Sequence, residues 1–183
     1  ITSDEISANF TGALVYLNDF EGKISKFNLT NMSTDRDGNP IALYENTTLF
    51  TAESTNVNGR YMYHSMDAGR LKGSNNFWMY IGTGDYDRLT AKNAGPGSPE
   101  FDSLLIGIRD KDFPYYQNVE TAQQADNLDD CSDTTTDENG NLCPSSSKRG
   151  WVIHLSNAEK VTAEPTLNKG RVLFPVFETT IVD

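Results

Sequence analysis

Between residues 76 and 110, two short apolar runs are each cut off by turn-forming residues. Phe77-Trp78-Met79-Tyr80-Ile81 runs into Gly82-Thr83-Gly84-Asp85. Leu104-Leu105-Ile106-Gly107-Ile108 runs into Arg109-Asp110-Lys111-Asp112. β-Branched and aromatic residues fit a pleated, half-buried surface, and runs this short suit strands better than helices. Gly82, Gly84 and Gly107 would each weaken a helix, because glycine loses the most backbone freedom on ordering. The stretch therefore reads as two buried strands of one sheet, and it limits the whole chain to sheet-type solutions.

The same pattern recurs on both sides. Ala13-Leu14-Val15-Tyr16-Leu17 and Lys23-Ile24-Ser25-Lys26-Phe27-Asn28-Leu29 flank the turn at Asn18-Asp19-Phe20-Glu21-Gly22 and predict a β-hairpin. Ile24 and Phe27 cannot share one face of a period-2 strand, so this strand is expected to bulge or to be buried on both sides. Further strands are predicted over 47–52, 60–67, 150–155, 160–163 and 171–177. Pro175 belongs at an edge or bulge because it cannot donate to a ladder. One short helix is predicted at 119–124. The expected fold class is all-β: short antiparallel strands joined by long loops, as in sandwiches, barrels and propellers.

Charge narrows the function. Fifteen basic residues face 26 acidic ones, for a net charge of −11. Such a surface repels phosphate backbones and anionic headgroups, which argues against nucleic acid and against electrostatic membrane binding. No apolar segment approaches the roughly 20 residues that cross a bilayer. The chain opens at Ile1-Thr2-Ser3-Asp4 without an initiator Met, which reads as a mature or excised fragment.

Cys131 and Cys143 sit in one polar loop with eleven residues between them. That spacing suits a loop-closing disulfide, worth about 3 kcal/mol in the chain-entropy model. It is not the Cys-x-x-Cys of a redox pair. Zinc would need two more ligands, and neither His64 nor His154 is near in sequence. A disulfide implies an oxidising compartment.

Several segments, taken in order, resemble one family. Val15-Tyr16-Leu17-Asn18-Asp19-Phe20-Glu21-Gly22 with Lys23-Ile24-Ser25-Lys26-Phe27-Asn28-Leu29 resembles its blade hairpin. Tyr80-Ile81-Gly82-Thr83-Gly84-Asp85-Tyr86 and Leu105-Ile106-Gly107-Ile108-Arg109-Asp110 are similar to two of its later strands. Gly150-Trp151-Val152-Ile153-His154-Leu155, Glu159-Lys160-Val161 and Gly170-Arg171-Val172-Leu173-Phe174 resemble the next blade. The family is that of the PilC/PilY-type type IV pilus assembly proteins and tip adhesins. The resemblance spans about residues 15–177 and implies part of a modified, incomplete β-propeller. At roughly 40–45 residues per blade, the single unit 1–183 would supply about four blade equivalents. It also implies a non-enzymatic module that supports pilus assembly and surface attachment at a bacterial pilus tip, cell surface or periplasm. Its partners would be pilus subunits or minor pilins and a host or abiotic surface. No cofactor is required on this reading. The calcium loop that members carry before the first hairpin is not matched by Ser3-Asp4-Glu5-Ile6-Ser7-Ala8-Asn9.

Two oxygen-rich loops are candidate calcium sites. Asp133, Asp137, Asn139 and Asn141 lie close together in the cysteine loop, and calcium takes six to eight oxygens. Asp35-Arg36-Asp37-Gly38-Asn39 is the second, although Asp-Gly-Asn is first a turn. No residue is assigned a catalytic role. His64 and His154 read as sheet histidines. Trp78, Ile81, Ile106, Ile108, Trp151 and Phe174 read as packing residues. The loop insertion 126–148, tied by its disulfide and rich in acids, is the expected partner- or cation-contacting element, since tying a loop lowers the ordering cost of binding. The rival readings are a quinoprotein-like propeller enzyme and a generic extracellular carbohydrate- or surface-binding domain.

Overall fold

A computed structural model of the chain describes residues 13–70, 76–94, 101–132, 143–145 and 147–179. Fifteen strands lie among them. The first eight are β1 (Leu14–Asn18), β2 (Lys23–Asn28), β3 (Ser33–Thr34), β4 (Pro40–Ile41), β5 (Asn46–Thr51), β6 (Asp67–Arg70), β7 (Phe77–Gly82) and β8 (Leu104–Asp110). Then come β9 (Gln123–Gln124), β10 (Asp129–Asp130), β11 (Gly150–His154), β12 (Lys160–Val161), β13 (Thr166–Asn168), β14 (Arg171–Leu173) and β15 (Val176–Phe177). The all-β expectation holds: helix among the described residues is limited to two 3₁₀ turns, Tyr86–Arg88 and Ala125–Asn127.

Two sheets carry the fold. A four-stranded sheet has the order β1-β2-β5-β9, and a five-stranded sheet the order β10-β11-β8-β7-β6. Their main ladders are antiparallel, while the short end strands β9 and β10 pair parallel. Neither sheet closes on itself. The two strands read from residues 76–110 are β7 and β8, paired from Phe77 opposite Asp110 to Gly82 opposite Leu105.

The inner faces of both sheets feed one core. Ile24, Leu49 and Phe50 come from the first sheet, and Met79, Ile81, Ile106, Ile108 and Val152 from the second. Burying each such side chain contributes about 1.5–3 kcal/mol. The expected bulge is present: the β2–β5 register shifts between Ile24 and Ser25. Period-2 alternation nevertheless survives in β2, where Ile24, Lys26 and Asn28 all point inward and Phe27 points outward.

A lysine inside an apolar core needs a partner, and the opposite sheet supplies it. Lys26 Nζ lies 2.6 Å from Asp110 Oδ2, and both side chains are buried. Tyr16 donates to the same oxygen at 2.7 Å, and the Tyr115 carbonyl accepts from Lys26 at 2.5 Å. Burial lowers the Lys26 pKa even though Asp110 pulls the other way. A second buried carboxylate, Asp102, pairs with Arg60 and lies 2.8 Å from His154 Nδ1.

Three local expectations are corrected. Residues 60–66 are not a strand, because their backbone groups bond outward to turns instead of into a ladder: Met62 N donates to the Phe20 carbonyl and Gly84 N to the Tyr61 carbonyl. The predicted helix at 119–124 is replaced by β9 and the Ala125–Asn127 turn, with Gln123 paired opposite Phe50 in the first sheet. The strand predicted over 171–177 is two, β14 and β15, broken at Pro175 where a ladder donor is missing.

Candidate functional site

The loops at one end of the two sheets are knitted together by Asn18. Its Nδ2 donates to the His64 carbonyl at 3.0 Å, and its Oδ1 accepts from Met66 N at 3.3 Å. This fixes segment 60–66 against the β1–β2 turn. Gly22 makes the turn possible: its φ is +83°, and a Cβ there would meet Ser54 Oγ at 2.5 Å and the Ala52 Cβ at 2.8 Å. On the other side, Asp85 caps the 3₁₀ turn that carries Tyr86. It accepts from Asp87 N at 2.9 Å and holds Arg88 at 2.7 Å.

These anchors bring together aromatic rings from three separate segments. Phe20 stacks on Tyr61 with centroids 4.7 Å apart and meets Tyr63 edge-on at 4.9 Å. Tyr63 stacks on Tyr86 at 4.3 Å with the planes 3° from parallel. His64 Nε2 and the Tyr86 hydroxyl are hydrogen-bonded. Loss of hydration raises the pKa of both Tyr63 and Tyr86, so both remain neutral phenols at physiological pH. Beside the rings runs a groove of about 490 Å³, lined by Leu17, Phe20, Met62, Tyr63, His64 and Met66. Leu17 is 53% and Phe20 52% exposed. The groove is formed by β1, its turn and the 60–66 loop, and it leaves a phenylalanine and a leucine half in water while the Asn18 hydrogen bonds hold the loop backbone.

A second concavity, of about 270 Å³, lies on the outer face of the five-stranded sheet. Trp78, Tyr80 and Trp151 line it together with Arg70 and Leu167. This corrects the packing expectation for Trp78, Trp151 and Phe174, which are half-buried, while Ile81, Ile106 and Ile108 are in the core as expected. Alternation decides it: even-numbered Trp78 and Tyr80 face away from odd-numbered Phe77, Met79 and Ile81. The Trp151 indole lies over Gly107, where any Cβ would collide with it. The Arg109 guanidinium is 5.6 Å from the Trp78 ring.

Cys131 and Cys143 form the predicted disulfide, with their Cα atoms 5.9 Å apart. The base of the loop is tied to β11, since Cys131 N donates to the Val152 carbonyl and His154 N to Ser132 Oγ, each at 2.8 Å. The calcium candidates Asp133, Asp137, Asn139 and Asn141 lie outside the described residues. Asp35 acts as a turn residue. Its carboxylate accepts from Asp37 N at 2.9 Å and Asn39 N at 2.8 Å, and the bonds from Asn39 hold its pKa below the usual range. Among the described residues no three His, Cys, Asp or Glu side chains gather as a metal site. His154 sits at the end of β11, as expected for a sheet histidine. His64 is in the irregular 60–66 segment instead.

The groove was not visible as such in the sequence. Its signal was the blurred alternation of Tyr61-Met62-Tyr63-His64, which suits an aromatic loop better than a strand. No protein-family model matches the chain, and no curated protein or solved structure matches it either.

Proposed function

We propose that this chain is a non-enzymatic module of a type IV pilus assembly protein or tip adhesin, derived from part of a β-propeller, with the aromatic groove as its contact surface. The observation that carries the reading is the position of the family-like segments. The first falls on the β1–β2 hairpin, and the next three fall on β7, β8 and β11, which are antiparallel neighbours in one sheet. The segments on β7 and β8 and the first segment of the following blade, on β11, thus occupy adjacent strands of one sheet, while the rest of that following blade falls on β12 and β14 in two smaller sheets. The Cys131–Cys143 disulfide fits an oxidising, extracytoplasmic compartment. Among the described residues no helix is long and apolar enough to cross a membrane. Pilus subunits or minor pilins and a host or abiotic surface are the partners this role requires.

The test is genetic. In the bacterium that encodes the chain, deletion of the coding region should reduce both surface pili and attachment. The double substitution Phe20→Ala/Tyr63→Ala should preserve pilus display and reduce attachment about tenfold, the scale expected when two aromatic anchors are truncated. Wild-type pilus numbers and wild-type attachment after deletion would remove the pilus reading. The groove also favours a second reading, a carbohydrate- or surface-binding domain without a pilus role, since exposed ring faces stack on sugars. Lost attachment with unchanged pili in the deletion strain would select it.

A further inference from the structure

The charges around the aromatic groove are unequal. Asp19 and Glu21 flank Phe20, and Asp85 and Asp87 flank Tyr86. The cations beside them are engaged locally: Lys23 with Glu21 at 2.9 Å and Arg88 with Asp85 at 2.7 Å. Asp19 and Asp87 are exposed, Asp19 lying between the groove residues Asn18 and Phe20 in the chain and Asp87 next to Tyr86, and the chain as a whole carries −11. The face of an aromatic ring is itself a region of negative potential, which attracts an ammonium or guanidinium within about 6 Å of its centroid. The chain uses this contact internally, with Lys160 Nζ 4.4 Å and the Arg88 guanidinium 4.8 Å from the Phe101 ring centroid. Ring faces near exposed carboxylates disfavour an anion and complement a cation on an apolar stem. Lysine and arginine side chains have that form, because their methylenes can lie along Leu17 and Phe20 while the charged head meets the rings and these acids.

We propose that the groove receives a lysine- or arginine-bearing segment of a partner protein. This rests on the reading of the groove as the contact surface, and it names the chemistry that surface recognises. The groove opens at the sheet ends beside the Asn18–Phe20 turn, so a basic loop can enter without disturbing a ladder.

The purified chain is titrated with acetylated hexalysine amide, with the same peptide fully succinylated, and with chitotriose. Tyrosine fluorescence and calorimetry provide the readout at low and at physiological salt. Hexalysine should bind, the succinylated peptide should not, and binding should weaken as salt screens the carboxylate charges. Replacing the rings with aliphatic groups, Phe20→Leu/Tyr63→Leu, keeps apolar volume and removes the π faces. It should weaken hexalysine about tenfold. The Phe20→Leu single variant, at a half-exposed site, repeats the test without risk to folding. Removing two exposed acids outside the groove, Asp37→Asn/Glu164→Gln, should change affinity less than about twofold, as a long-range effect screened by salt. If the ring variants and the outlying acid variant weaken hexalysine equally, attraction is only diffuse charge and the proposal fails. Binding of chitotriose without hexalysine would assign the groove to a sugar instead. Failure here, combined with attachment lost in the Phe20→Ala/Tyr63→Ala strain, would overturn the cationic partner while leaving the adhesin reading intact.

Discussion

Lys26 carries its charge into the core because Asp110, Tyr16 and the Tyr115 carbonyl meet it there. Such a pair need not add net stability, but breaking it is costly, since the survivor keeps its desolvation penalty. Asp110→Ala should therefore destabilise by about 3–5 kcal/mol, whereas Lys26→Met/Asp110→Leu should cost far less. Chemical denaturation of the two variants provides the comparison, and equal losses would refute this account of the pair. Lys160 is the converse case. It is fully buried, its Nζ donates to the Ala91 carbonyl at 2.7 Å, and among the described residues no carboxylate is within ion-pair distance. Burial pushes its pKa down from 10.5 to about 8. Between those values the unfolded chain holds the proton and the folded chain has released it, so unfolding takes up a proton. Stability from this residue must then rise with pH across that window. Relative to Lys160→Met, the wild type should gain up to about 3 kcal/mol between pH 7 and 10. Parallel pH profiles for the two proteins would show that Lys160 is not buried as a cation. Neither buried lysine was legible in the sequence, where each sits in a polar-looking stretch; Lys26 is made tolerable by Asp110 on another strand and Lys160 by the Ala91 carbonyl from a distant loop.

At the level of elements, what could be read was what is local. The β1–β2 hairpin, β5, β7, β8 and β11 follow from runs of β-formers punctuated by Gly, Asp and Asn, and the bulge in β2 follows from a conflict of period within one run. What could not be read depends on distant pairing. Gln123 and Gln124 look helical in isolation, yet Phe50 and Thr51 recruit them as an edge strand. Segment 60–66 has strand composition, yet Asn18 and the Phe20 carbonyl take its backbone for a loop, and with it goes the aromatic groove. Gly107 shows how one element admits another. It faces Tyr80 on one side and Trp151 on the other, and its missing side chain is the space the indole occupies. Gly107→Ala should displace Trp151, red-shift its fluorescence and cost about 1–3 kcal/mol through overpacking. An unchanged emission maximum would show that the indole does not depend on this glycine. The Cys131–Cys143 loop hangs from the edge strand β10 and the backbone of β11, so replacing its span with a Gly/Ser linker should leave the sheets intact by far-UV circular dichroism.

For the whole molecule, sheet content was legible and assembly was not, because short strands and turn signals are common to sandwiches, barrels and propellers. The two main sheets are separate ladders, yet they share a single interior. Ile24 and Phe50 of the first pack with Met79, Ile81 and Ile106 of the second, and Lys26 of one is neutralised by Asp110 of the other. Separating the sheets would expose both sets of apolar side chains and leave two buried charges unpaired, so neither sheet can persist alone at reasonable cost. The chain should therefore unfold as one cooperative unit. Far-UV dichroism reports both sheets, whereas tryptophan emission reports only the second, which holds Trp78 and Trp151. The two signals should share one melting midpoint in the wild type. Ile106→Ala, which opens a cavity in the shared interior and costs about 2–5 kcal/mol, should move both midpoints down together. Two separate transitions, or a shift in tryptophan emission alone, would mean that the sheets are independent units and that the buried Lys26–Asp110 pair does not couple them.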